Sequence, residues 1–268
     1  MESNIKIDLG VDWSAPWLST LRQLGQDIAS STDWRKSLNE QAEQNGLLNH
    51  RQLPIQFVPQ DALPDGVSYE AHISATATVP TRDNLHDFFN ALIWLTFPHI
   101  KAQLNAMQAA QIAQLGIGKS RGPARDAATL FDENAALLAV SDTQQGRSLL
   151  ESLRAHRWTE LFLTHRSQFK QDIEVILFGH ALMEKLVRPY KAITAHSLVC
   201  WVQPDFHQFT LVEKNAWLDK NIAVHLKNQE LLPSSFSPLP VLGIPDWWTN
   251  QTGEFYADTR VFRPVRQR

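Results

Sequence analysis

The sequence predicts an α+β fold: one helix-dominated domain with a small mixed or antiparallel β-sheet. Three observations lead there. Residues 82–96 and 211–226 repeat apolar side chains at the period of a helix with one buried face. Residues 173–178 and 193–202 are short runs rich in β-branched and aromatic residues, which read as strands. No internal repeat or low-complexity linker divides the chain, so one layered domain is the economical architecture.

In order, residues 1–50 read as an N-terminal helical segment packed on a main body of residues 51–268. Asp12 or Ser14 is placed to cap a first helix, with Trp17, Leu18, Leu21, Leu24 and Ile28 as its stripe. Asp33 is placed to cap a second, ending near Asn45-Gly46. Residues 55–58 and 67–74 alternate around the turn Pro64-Asp65-Gly66 and predict a short strand pair. A helix over residues 82–96 follows, then a second starting at Pro98, with Ile100, Leu104 and Met107 on one side and Gly116 just past its end. Residues 116–125 read as a basic, glycine-rich connector. Residues 129–140 are expected to form a hairpin turning at Asp132-Glu133-Asn134, with a helix over 127–139 as the rival reading. Beyond the strand at 173–178, Gly179 breaks the chain before a helix over 180–187. The tail from Pro233 is proline-rich and aromatic and predicts an ordered wrap over the body.

Composition bounds the function classes. A chain of 268 residues buries a substantial core, and its net charge of −3 lacks the basic excess that a nucleic-acid coat needs. Cys200 is the single cysteine, which rules out a disulfide framework. The N-terminus shows no signal-peptide pattern, and no run of 18 apolar residues occurs. A cytoplasmic protein without a membrane span is expected.

The phrases Val79-Pro80-Thr81-Arg82-Asp83-Asn84-Leu85-His86-Asp87, Arg121-Gly122-Pro123, Leu177-Phe178-Gly179-His180-Ala181-Leu182 and Pro189-Tyr190-Lys191-Ala192-Ile193-Thr194-Ala195-His196 occur together here. In these the chain resembles a family of bacterial proteins known as domain of unknown function 3025, from about residue 50 to Pro264. The resemblance implies a bacterial cytoplasmic protein and no particular reaction, so chemistry must come from the residues.

The helix over 82–96 carries the densest signal. Leu85, Phe88, Phe89, Leu92 and Ile93 share one arc, whereas Asp83, His86, Asp87, Asn90 and Trp94 share the opposite one. Asp83 and Asp87 are one turn apart, as are His86 and Asn90, so carboxylate, imidazole and amide converge. Such a set binds a divalent metal or orients a general-base histidine; a capped helix with a solvated face is the bland alternative. His180 and Glu184 form an i, i+4 pair just after a strand, which suits a metal site or a plain surface pair. His196 alternates with Thr194 and points either into a pocket or into the core. Arg121, Arg125 and Lys191 are basic groups for holding a phosphate or carboxylate. The Walker A, nucleophile-elbow and dinucleotide fingerprints are missing.

Two functions follow. The first is a hydrolase-like enzyme in which His86, Asp87, His180, Glu184 and His196 are catalytic. Asp83, Asn90, Arg121, Arg125 and Lys191 would hold a small anionic substrate, and His86, Asp87, His180 and Glu184 are the candidate ligands of a divalent metal. It requires His86 and His180 to lie within roughly 12 Å of each other. The second is a non-catalytic interaction protein presenting Trp94, Trp247 and Trp248 as an aromatic surface.

Overall fold

The computed structural model describes residues 10–115 and 123–265. Its helices are α1 (Arg22–Ser30), α2 (Trp34–Gln44), α3 (Tyr69–Thr76), α4 (Leu85–Thr96), α5 (Pro98–Leu115), α6 (Pro123–Asn134), α7 (Gln144–Arg154), α8 (Arg166–Asp172), α9 (His180–Leu186), α10 (Leu211–Asn228) and α11 (Gly253–Tyr256). Its strands are β1 (Gln56–Pro59), β2 (Thr78–Thr81), β3 (Ala135–Ser141), β4 (Ile173–Leu177), β5 (Thr194–Val202) and β6 (Ser237–Pro240). This is the helix-dominated α+β domain that the patterning predicts.

The main sheet runs β4-β3-β5-β6. Strand β3 is parallel to β5 and antiparallel to β4, and β6 returns antiparallel to β5, so the sheet is mixed. Every residue of β3 is buried, as an unbroken apolar run requires of a strand covered on both faces. A second, two-stranded parallel pair joins β1 to β2. The N-terminal helices close on α4, with the Trp13 ring 6.3 Å from those of Phe88 and Phe89 and the Trp34 ring 5.6 Å from Phe88. Core packing is continuous from Leu18 to Phe262.

Helix starts follow local chemistry. Asp33, Asn84 and Thr143 each accept a backbone N–H three residues on, and Thr210 with Glu213 forms a full capping box. The start of α5 is capped from a distance: the Asp219 carboxylate of α10 accepts the backbone N–H groups of His99 and Ile100 and faces His99 Nδ1 at 2.6 Å. That anchor fixes the first turn of α5, where Lys101 sits.

Two expectations are corrected. Residues 69–76 form helix α3, and the strand paired with β1 is β2. Alternation of Val67, Tyr69, Ala71 and Ile73 also places Tyr69, His72, Ile73 and Thr76 at helical spacing, and Ser68 and Glu70 supply start-of-helix residues. The expected hairpin over 129–140 is instead the second half of α6 followed by β3. Ala127, Ala128 and Phe131 form the buried face of α6, with Phe131 stacked on Phe178 at 4.9 Å. Asp132 therefore belongs to a helix end inside the protein and not to an exposed turn. Of the connector expected over 116–125, residues 116–122 lie outside the described residues, and 123–125 are instead the first turn of α6, opened by Pro123. Among those described, no helix is long and apolar enough to cross a membrane.

Candidate active site

Helix α4 delivers more than one polar face. It is buried nearly all round, including Asp87 and Asn90 at 6% exposure and Trp94 at 1%. Its neighbours explain why. The α4 polar arc faces α9, α5 and α3, and a cavity of about 500 Å³ opens between these helices and α6.

His86 and His180 meet there, with their Nε2 atoms 3.0 Å apart and their rings nearly perpendicular at 4.5 Å. Glu184, one turn beyond His180, accepts from His86 Nδ1 at 3.0 Å across 98 residues of chain. The i, i+4 pair on α9 thus grips one histidine of α4 from two sides. Its placement depends on Gly179. A Cβ on Gly179 would lie 2.5 Å from Ala135 N, Asn134 N and Glu133 O, all backbone atoms at the α6–β3 junction. The Gly179 and Phe178 amides both donate to Ala135 O, which pins the N-terminus of α9 against the end of α6. Gly179→Ala is expected to cost about 1–3 kcal/mol, as an overpacked site does. A urea melt that matches the wild type would show that this junction tolerates displacement.

On the other side of His180 lies Asp132, with Oδ2 4.0 Å from Nδ1. Asp132 Oδ1 accepts from Lys101 Nζ at 2.6 Å, and Lys101 also donates to Asn90 Oδ1 at 2.9 Å. Its ammonium lies 5.4 Å from the centre of the Trp94 ring. Asn90 Nδ2 in turn donates to the Tyr69 hydroxyl at 3.1 Å. Glu70 sits beside this network and accepts from Asn105 Nδ2 at 2.7 Å.

The electrostatics sort these groups. Burial pushes His180 down to about 4, with Asp132 only partly opposing it, so the ring is neutral at neutral pH. Burial alone would raise Asp132, but the Lys101 ammonium and His180 hold it below the usual carboxylate range. Burial raises Glu70 above that range, against the pull of Lys101, and lifts Tyr69 well above an ordinary phenol. One wall of the cleft therefore carries a carboxylate held ionised, and another a carboxyl biased toward its neutral form.

The remaining sequence candidates are dispersed. Asp87 lines the cleft, but its two oxygens are filled by the Arg82 backbone N–H and both arms of the Arg82 guanidinium at 2.7–2.9 Å. It fixes the entry to α4. Asp83 pairs with Arg35 at 2.6 Å and lies off the cleft lining. His196 stands on β5 opposite Ala135 and Pro238, with Phe236 at 6.3 Å, and is not brought to the cleft. Lys191 pairs with Asp258 at 3.1 Å over the Phe255 ring, within the C-terminal wrap. Arg125 lines the cleft from α6, whereas Arg121 lies outside the described residues. Trp94 is core. Trp247 and Trp248 are half-buried against the body, with Trp17 at 6.5 Å from Trp247.

Sequence reasoning passed over Tyr69, Glu70 and Lys101, and it placed Asp132 in a hairpin turn that the structure replaces with the end of α6. One signal was present: Lys101, Asn105 and Gln108 repeat at i, i+4 and i+7 beside the apolar stripe of α5, and all three are buried. Both arcs of α5 are thus committed, one to the core and one to the cleft.

Among the described residues, no group of three or more His, Cys, Asp or Glu side chains converges to hold a metal. The imidazoles of His86 and His180 turn their facing nitrogens on each other. A larger cavity of about 640 Å³ beside α5 and α10 brings His50 and His99 but no carboxylate to its lining.

The profile of the family described as protein of unknown function (DUF3025) matches residues 55–266, and the chain belongs to that family. No curated protein and no solved structure matches the chain.

Proposed function

We propose that this DUF3025 member is an enzyme that performs general acid–base chemistry, hydrolytic in class, on a small anionic substrate in the cleft between α3, α4, α6 and α9. One observation carries the reading: two histidines and two carboxylates from three helices form a row, Glu184, His86, His180, Asp132, hydrogen-bonded from Glu184 to His180 and with Asp132 4.0 Å beyond, beside a cavity of substrate size. Titratable groups pushed in opposite directions within one cleft are the mark of acid–base division of labour. Asp132 with the histidine pair serves as the base, and Glu70, biased toward its protonated form, as the acid.

Substrate charge is met by Arg125. Arg82 is committed to Asp87 and Lys101 to Asp132, while Arg125 has no ion-pair or hydrogen-bond partner among the described residues. The reaction needs no metal in this reading. We also place the protein in the bacterial cytoplasm. A lone Cys200, whose thiol burial pushes up to about 11, suits a reducing compartment, and the net charge of −3 speaks against a nucleic-acid partner.

The test is a panel of small carboxylate and phosphate esters and amides presented to the purified protein, with metal content measured in parallel. Turnover is expected to fall by about 10²–10⁴-fold in His180→Gln, the usual contribution of a positioned acid–base group, and Arg125→Ala is expected to raise KM. Turnover indifferent to His180→Gln would overturn the assignment. A stoichiometric ion lost in His86→Ala would replace it with metal-assisted chemistry.

A further inference from the structure

A second face of α5 borders the cavity of about 640 Å³, through Pro98, His99, Ala102 and Gln103. Lys101 and Gln108 lie on the other arc of that helix, which serves the acid–base cleft. The remaining walls are aliphatic: Leu47 and Leu48 before β1, Leu95 of α4, and Ala223 and Val224 of α10. Leu48 is 36% exposed and Val224 58%, so apolar surface lies open to solvent inside a concave site. The wall before β1 is preformed. The Asn49 amide donates to Ile73 O and Ser74 O, its Oδ1 accepts from the Arg51 and Leu53 backbone N–H groups, and Gln52 is held at φ 63°.

The fixed charges on this lining have one sign. Lys220 and Lys227 bracket Ala223 and Val224 on one stripe of α10, about 10 Å apart along its axis. Neither lysine has an ion-pair or hydrogen-bond partner among the described residues. Asp219 is next to Lys220 in the chain but is 3% exposed and turned inward. Its oxygens accept the backbone N–H groups of His99 and Ile100, and Oδ2 faces His99 Nδ1 at 2.6 Å. The carboxylate is therefore committed to the start of α5 and to His99, and the two ammonium groups are left without a counter-charge.

We propose that this cavity binds a small amphipathic anion, one carboxylate or phosphate group joined to an acyl or aryl body. Lys220 and Lys227 take the charge, and Leu48, Leu95 and Val224 take the apolar body. A purely polar anion would leave the aliphatic wall wet. An uncharged apolar molecule would leave both cations unmatched beside it. The site is separate from the acid–base cleft, and the proposal stands whether or not that cleft turns over a substrate.

The experiment is isothermal titration calorimetry of the full chain with octanoate and with benzoate. Octanol and benzyl alcohol serve as neutral comparisons, and inorganic phosphate as the purely polar one. Saturable binding of at least one organic anion is expected, with each comparison binding more weakly. Lys220→Gln combined with Lys227→Gln changes two exposed side chains and is expected to weaken that binding about tenfold, the scale of two partly screened ion pairs. Val224→Ala is expected to weaken it about fourfold, as the loss of one buried CH₂ does. Arg125→Ala removes any binding in the acid–base cleft and is expected to leave the lysine-dependent isotherm in place. No saturable binding of either anion overturns the proposal, as does an affinity indifferent to the double lysine variant or abolished by Arg125→Ala. An alcohol or phosphate bound as tightly as the organic anions overturns it too.

Discussion

Lys101→Met is expected to destabilise the protein by about 3–5 kcal/mol, the cost of stripping one partner from a buried ion pair. Methionine keeps the aliphatic stem and so leaves packing against Trp94 largely unchanged. What is lost is the ammonium that donates to Asp132 at 2.6 Å and to Asn90 at 2.9 Å, on a residue only 5% exposed. Asp132 would then be a buried carboxylate with His180 Nδ1 no nearer than 4.0 Å. Because the penalty comes from the abandoned charge, adding Asp132→Asn to Lys101→Met should recover more than half of the loss. Urea melts of the two single variants and the double variant form a cycle that measures this directly. A single variant within about 1 kcal/mol of wild type would mean that water reaches the pair and that it behaves as a surface bridge.

That network also shows where sequence reading succeeds and where it stops. Helix α4 was legible because its period is local: Leu85, Phe88, Phe89, Leu92 and Ile93 repeat at helical spacing, although its cap is Asn84 and it begins at Leu85, three positions later than expected. The i, i+4 relation of His180 and Glu184 was equally local. Their meeting with His86 depends on Gly179 seated against the α6–β3 junction, a contact that joins residues far apart in the chain. Asp132 was hidden by an ambiguity of period. An Asp-Glu-Asn run between apolar stretches fits a turn, and only the burial of Ala127, Ala128 and Phe131 on one face decides for a helix that carries Asp132 inward. Lys101 carries no local sign of its role, because its carboxylate partner lies 31 residues away on another helix. Residue identity thus supplied the chemical groups, and tertiary packing chose which of them share a cleft.

Acid should loosen the fold before it protonates most carboxylates. His180 is pushed down to about 4 in the folded chain, against about 6.5 in an unfolded one. Its folded value lies below its unfolded value, so the unfolded state binds the extra proton first. The contribution is complete above the unfolded value and is lost as pH falls from about 6.5 toward 4, reaching about 3 kcal/mol at the lower limit. Asp132 adds to the loss at lower pH: its folded value is also depressed, so its stabilisation disappears as pH falls below the range of a free aspartate. Glu70 has the opposite sign, since a raised folded value relieves the protein as that carboxyl takes up its proton. His196 and His207 are lowered by burial as well, so the wild-type curve alone does not isolate His180. The difference between the wild type and His180→Gln does. Glutamine does not titrate, so the variant should start less stable near neutral pH and lose less on acidification, and the two unfolding free energies should converge between pH 6.5 and 4. Parallel curves over that interval would mean that His180 is protonated as readily in the folded chain as in the unfolded one, and the buried neutral imidazole at the centre of this cleft would have to be abandoned.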